Sequence, residues 1–138
     1  MKTTLVPKEH IDLVWKDIEP FAVKCAKYTY DRFSADDMLE GIKTKDQQLW
    51  IAFDNNNKIQ GFWITEVLNY SQIKTLALHF MGGKDFYDWL PDGLPKLQKF
   101  ARELGCSKME AYGRPGFEKL WQNYGYKKTF VCYELPVE

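Results

Sequence analysis

The sequence predicts an α/β fold, a mixed sheet with helices on both faces, and three observations predict it. Residues 48–80 read as three nearly continuous apolar strands divided by polar turns. Residues 86–104 then carry apolar side chains at three- and four-residue steps, the period of a helix. A strand, a helix and a last strand follow between 108 and 135. With 138 residues and no repeat, linker or low-complexity stretch, the chain reads as one domain spanning 1–138.

The elements follow in order. TTLV (3–6) is a short first strand. From Pro7 a helical period places Ile11, Val14, Trp15 and Ile18 on one face. Pro7 suits the start of a helix, and Pro20 predicts its end or a kink. A second helix is expected beyond it, with Phe21, Lys24, Cys25 and Tyr28 in register. In SADDMLEGI (34–42), Ser34 is followed by Asp37 three residues on, a capping-box-like start for a third short helix. QLWIAFD (48–54) and KIQGFWITEVLNY (58–70) flank an Asn-rich turn and form a hairpin. IKTLALHF (73–80) is the third strand of the meander.

Next comes FMGGKDFYDWLPDG (80–93), where only Gly82, Gly83 and Lys84 separate strand from helix. Asp85 is the natural N-cap, and Asp88 lies in the first turn. The apolar period runs from Phe86 to Leu104 through Pro91, Gly93 and Pro95, so the helix is either one broken element or two collinear ones. Gly105 stops it. KMEAYGR (108–114) is a strand, parallel to 73–80 through a right-handed crossover. Pro115 opens a helix with Phe117, Leu120, Trp121 and Tyr124 on one face. Gly125 closes it, and YKKTFVCYEL (126–135) is the last strand.

Composition excludes several functions. Lys+Arg and Asp+Glu balance at 19 each, without the cationic excess of a nucleic-acid binder. Cys25, Cys106 and Cys132 form no C-x-x-C pair and no disulfide framework, which fits a reducing, cytoplasmic-type compartment, and all three are expected to be buried. His10 and His79 lack metal-ligand spacing, so no metal site is expected. MKTTLVPKEH has no apolar signal region, and no stretch is long enough to cross a membrane. Aromatics make up 16% of the chain, and any Tyr or Trp left at the surface would mark a protein contact; the alternative is an aromatic-rich core.

The order of elements, with a glycine-tyrosine corner between a short helix and a final strand, resembles the GNAT acetyltransferase fold from about Leu49 to Leu135. FEKLWQNYGYKKTFVCYEL (117–135) looks like that family's closing segment. The stretch EAYGRPGFEKLWQNYGYKK looks like small GNAT-like proteins of bacteriophages and prophages, some of which are internal components of short-tailed phage particles. That resemblance implies a protein partner among phage structural proteins, in the host cytoplasm or the virion.

Active members of the family bind the pyrophosphate of coenzyme A on a Q/R-x-x-G-x-G/A loop. Gly82, Gly83 and Lys84 occupy that place here, with different spacing and too short a loop. Asp85 and Asp88 would set carboxylates where the pyrophosphate sits, and Lys84 and Lys96 offset only part of the repulsion. The tyrosine that many members place four residues before the corner glycine corresponds to Trp121, which has no hydroxyl. Tyr124 is the nearest phenol, on another helical direction, and the usual asparagine at the start of the helix corresponds to Arg114. The expectation is therefore a capped turn and no cofactor. Acetyl-CoA enters only under the alternative of an active N-acetyltransferase with an atypical loop, contacting Gly82, Gly83 and Lys84.

For catalysis under that alternative, the candidates are Glu66, His79 and Tyr124. His79 and Glu66 lie on neighbouring strands, and a histidine backed by a carboxylate takes a proton from an amine at neutral pH. The competing reading is a satisfied sheet histidine beside a solvated glutamate. Arg114, set among Gly113, Pro115 and Gly116, is either an anion or partner contact or an arginine paired with Glu110 or Asp85. Tyr87 falls off the apolar face of its helix and is the expected exposed anchor of a protein contact.

Overall fold

The computed structural model describes residues 1–137. Its strands are β1 (Lys2–Leu5), β2 (Gln48–Phe53), β3 (Ile59–Asn69), β4 (Lys74–Gly83) and β5 (Lys108–Ala111). Its helices are α1 (Ile11–Ala26), α2 (Ala35–Thr44), α3 (Phe86–Glu103) and α4 (Glu118–Asn123). The strands form one sheet in the order β1-β2-β3-β4-β5. The first four are antiparallel, and β5 runs parallel to β4.

Both faces of the sheet are covered, as its continuous apolar strands require. On one face α1 and α2 bury Trp15, Ile18, Ala22, Met38 and Ile42 against Leu49, Phe62 and Ile64. On the other, α3 and α4 bury Trp89, Leu90, Leu97, Leu120 and Trp121 against Trp50, Trp63, Leu76 and Leu78. Local signals set several boundaries. Ser34 and Asp37 form the expected capping box of α2: the Asp37 N–H donates to Ser34 Oγ at 3.1 Å, and the Ser34 N–H donates to Asp37 Oδ2 at 2.8 Å.

Four expectations are corrected. Pro20 does not end a helix, because α1 continues through it to Ala26. Pro20 and Lys16, whose carbonyl loses its partner, both face solvent, while Ile18 and Ala22 stay buried on the sheet side. In α3, Pro91 and Pro95 are likewise on the outer face, and the helix is a single element. At the start of α3, Asp85 occupies the N-cap position in a left-handed conformation without a side-chain capping bond.

The fourth correction concerns the end of the chain. YKKTFVCYEL forms no strand, and Tyr126–Val137 carries no regular structure. The Tyr126 N–H donates to the Trp121 carbonyl at 3.0 Å, and the two rings pack 4.9 Å apart. Farther on, Arg32, between α1 and α2, pairs with Glu134 at 2.9 Å and reaches Cys132 Sγ at 3.9 Å. Among the described residues β5 pairs with β4 alone.

A polar clamp ties β1 to α3. The Thr3 N–H and hydroxyl both donate to Asp92 Oδ2 at 2.9 Å, and Lys96 Nζ donates to the Thr3 carbonyl at 2.7 Å and to Asp92 at 2.8 Å. The Lys96 hydrogen bond, helped by Thr3, holds the Asp92 carboxyl below its ordinary range. A depressed carboxyl adds stability above its unfolded pKa, and that stability is lost as pH falls through the folded pKa. Asp92→Asn should cost about 1 kcal/mol at neutral pH. Urea unfolding at neutral and acid pH should show the variant losing less stability on acidification than the parent.

Candidate functional site

The site is built where β4 and β5 part company. Their pairing ends at Leu78 and Ala111, with one further bond from the Tyr112 N–H to the Leu78 carbonyl. Beyond it an open cleft of about 1570 Å³ is lined by His79, Met81, Tyr112, Arg114, Trp121 and Tyr124, among others. Such divergence of parallel strands at their C-terminal ends is where ligands enter α/β sheets.

His79 sits on a β-bulge. Ile64 pairs with Phe80 and Thr65 pairs with Leu78, leaving His79 as the extra residue of β4. A bulge re-aims the side chain it carries. Here His79 Nε2 lies 2.7 Å from Glu66 Oε1, which also accepts from Gln47 Nε2 at 3.2 Å. With its Nε2–H given to Glu66, a neutral imidazole keeps its lone pair at Nδ1, the state suited to accept a proton. The Tyr112 ring stacks on His79, with centroids 5.6 Å apart and planes 9° from parallel. The Tyr112 hydroxyl donates to Glu110 Oε2 at 2.9 Å, and Glu110 Oε1 accepts from the Thr75 hydroxyl. Burial first, then Tyr70 and Glu110, push the Tyr112 phenol well above its usual value, so it stays protonated at neutral pH.

Arg114 takes neither of the ion pairs considered from sequence. Its guanidinium carbon lies 3.5 Å over the Tyr28 ring and 4.8 Å from the Phe117 ring centroid. Such stacking engages the face of the guanidinium. Its hydrogen bond and charge hold the Tyr28 phenol below its ordinary value. Burial raises the Cys25 thiol despite the Met81 backbone and Arg114, which argues against a reactive thiolate there. The expectation of three buried cysteines is corrected: Cys25 and Cys106 are half-buried and Cys132 is exposed.

Tyr124 stands apart from the Glu66–His79 pair in its contacts. Its ring stacks on Tyr87, with centroids 6.5 Å apart, near the start of α3. Tyr87 is 59% exposed, as its place off the apolar face predicts. Trp121, at the position that the family resemblance gives to a phenol, is buried, and its indole N–H has no partner among the described residues.

The two glycines lie inside β4. Gly82 pairs with Phe62 and Gly83 with Gly61, so only Lys84 and Asp85 connect β4 to α3. The Lys84 N–H donates to the Gln60 carbonyl at 2.8 Å, and the Lys84 carbonyl accepts from Trp89 Nε1 at 2.8 Å. The Asp85 carbonyl accepts the Asp88 N–H at 2.8 Å. A pyrophosphate needs several outward N–H groups and positive charge. This connection is a two-residue turn whose Lys84 N–H is already bonded to β3, with Asp85 and Asp88 beside it. Among the described residues no cluster of His, Cys, Asp or Glu could hold a metal ion, and no helix is long and apolar enough to cross a membrane.

The sequence pointed to Glu66 with His79 through their places on adjacent strands. It missed Gln47, which is buried and orients Glu66, and it read Tyr28 only as a helix-face residue. Neither has a local signal, because each meets its partner across a large separation in the chain.

No protein-family model matches the chain, and no curated protein matches it in sequence. Solved structures do. A probable acetyltransferase superposes with a TM-score of 0.73 at 18% identity, covering 100% of this chain and 99% of that one. A ribosomal-protein-alanine N-acetyltransferase from Brucella melitensis biovar Abortus 2308 gives a TM-score of 0.69 at 14% identity, covering 99% of this chain and 100% of that one. The tetramutant of the BH1408 protein from Bacillus halodurans gives 0.69 at 9% identity, with the same coverage. At such identities the likeness establishes architecture and no more: this chain has the GNAT acetyltransferase fold.

Proposed function

We propose that this chain uses the GNAT fold for protein contacts in place of ordinary acetyl-CoA chemistry, as a virion-associated component of the phage type. The observation that carries the reading is the closed β4–α3 connection, whose Lys84 N–H and carbonyl are both engaged. Trp121 in place of a phenol supports it, and so does the exposed Tyr87. The phage assignment rests on the EAYGRPGFEKLWQNYGYKK stretch. Calorimetric titration with acetyl-CoA and with coenzyme A should give no saturable heat at millimolar ligand. One-to-one binding with a micromolar dissociation constant would overturn the reading. For the virion part, the chain should be retained in purified phage particles, and its absence from them would remove that assignment.

A second reading is favoured by one observation, the Glu66–His79 pair on the bulge at the cleft. In it the chain is an acetyl-CoA-dependent N-acetyltransferase with an atypical loop: His79 Nδ1 would take the proton of an acceptor amine as its nitrogen forms the amide bond, the thioester C–S bond breaks and the coenzyme A thiolate leaves to be protonated. His79→Ala and Glu66→Gln would then abolish acetylation of a polyamine or peptide amine that the parent supports.

A further inference from the structure

The cleft between β4 and β5 carries opposite charge at its two ends. Arg114 marks the cationic end. Its guanidinium lies against the Tyr28 and Phe117 rings, and no carboxylate pairs with it among the described residues. Its hydrogen bond and charge, with Lys24 and Lys27 behind them, hold the Tyr28 phenol below its ordinary value, as a local positive potential requires. A guanidinium carries more N–H donors than one phenol can take.

At the other end stand Glu66, on His79, and Glu110, which accepts the hydroxyl of the Tyr112 ring stacked on that histidine. Neither carboxylate has a lysine or arginine partner among the described residues. Both ends share one face of the sheet. Met109 and Ala111 pack into the α3–α4 core, so alternation along β5 turns Glu110 and Tyr112 to the α1 side, where Arg114 meets Tyr28. Phe33 and Phe80 line the same cleft, edge to face at 5.1 Å, with Phe33 left 45% exposed.

We propose that this cleft binds a free amino acid with an aromatic or large apolar side chain, its carboxylate on Arg114, its ammonium on His79 Nδ1 and its side chain against these rings. An ion of one sign would satisfy one end and leave the other bare, whereas a zwitterion satisfies both. The site needs no acyl donor and rests on neither reading above. Saturable acetyl-CoA binding would overturn the contact reading and leave this site standing, and failure here leaves that reading untouched.

NMR titration of the full chain, without coenzyme A, compares L-phenylalanine with phenethylamine, which lacks the carboxylate, and hydrocinnamate, which lacks the amine. L-Phenylalanine should shift the cleft resonances saturably, with a dissociation constant in the millimolar range or below. Each truncated ligand should bind at least about tenfold more weakly. Arg114→Gln should weaken L-phenylalanine and hydrocinnamate and leave phenethylamine unchanged. Glu66→Gln should weaken L-phenylalanine and phenethylamine and leave hydrocinnamate unchanged. The ligand series on the parent decides the ligand class without any substitution, and the spectrum of each variant reports its fold. No saturable shift with L-phenylalanine overturns the proposal, as does a truncated ligand that binds as tightly. Folded variants that weaken all three ligands alike overturn the placement of the two charges.

Discussion

Trp89→Ala should destabilise the domain by about 4 kcal/mol, within the range for large-to-small changes in a packed core. Trp89 is 1% exposed, and its indole stands between Trp63 and Phe86, with centroids 5.1 and 5.5 Å away. It also covers Gly61 so closely that a Cβ there would lie 2.7 Å from the indole Cζ2. Alanine would lose this packing, leave a cavity and release the Lys84 carbonyl. Trp89→Phe separates the two effects: it keeps a ring but drops the N–H, and should cost about 2 kcal/mol through the lost bond to Lys84. Urea denaturation of the three proteins gives both figures. A loss below about 2 kcal/mol for Trp89→Ala would mean that the start of α3 is held by something other than this ring.

What could be read from the sequence divides by the range of the interaction. The hairpin at 48–70 and the α2 capping box are written in neighbouring residues, and both appear where those residues put them. Pro20 misled because a local penalty was weighed without the packing of Ile18 and Ala22, which carries α1 past it. The last strand misled for a related reason. Strand propensity is a preference for a pleated, half-buried place, and here Tyr126 packs on Trp121 and Glu134 pairs with Arg32 while the segment takes no place in the sheet. At the site, the Glu66–His79 pairing was legible because strand adjacency follows from the hairpin order. The bulge that turns His79 toward the cleft has no glycine to announce it, and Arg114 found Tyr28 through tertiary structure that no spacing encodes.

Gly83→Ala should cost about 3 kcal/mol, the sum of a strained backbone and a steric overlap. Gly83 has φ +128°, a conformation that L side chains rarely adopt, and a Cβ there would fall on the Gln60 carbonyl oxygen and the Gly61 Cα. Both are backbone atoms of β3, and neither can step aside without opening the ladder. Gly82→Ala should cost less, because its tightest neighbour is the Phe62 side chain at 2.7 Å, although the Phe21 carbonyl of α1 lies 3.2 Å away. This ordering distinguishes two origins for a pair of glycines at the end of a central strand. Glycines kept for phosphate would tolerate alanine in the fold and lose ligand. Glycines kept so that β3 and α1 can press against β4 lose stability first. Denaturant midpoints for Gly82→Ala and Gly83→Ala, set beside the acetyl-CoA titration of the parent, decide between them. A stable Gly83→Ala protein, with the parent binding acetyl-CoA, would return the loop to the cofactor. A destabilised variant and a silent titration would leave the glycines explained by packing alone, and the fold free for a contact function.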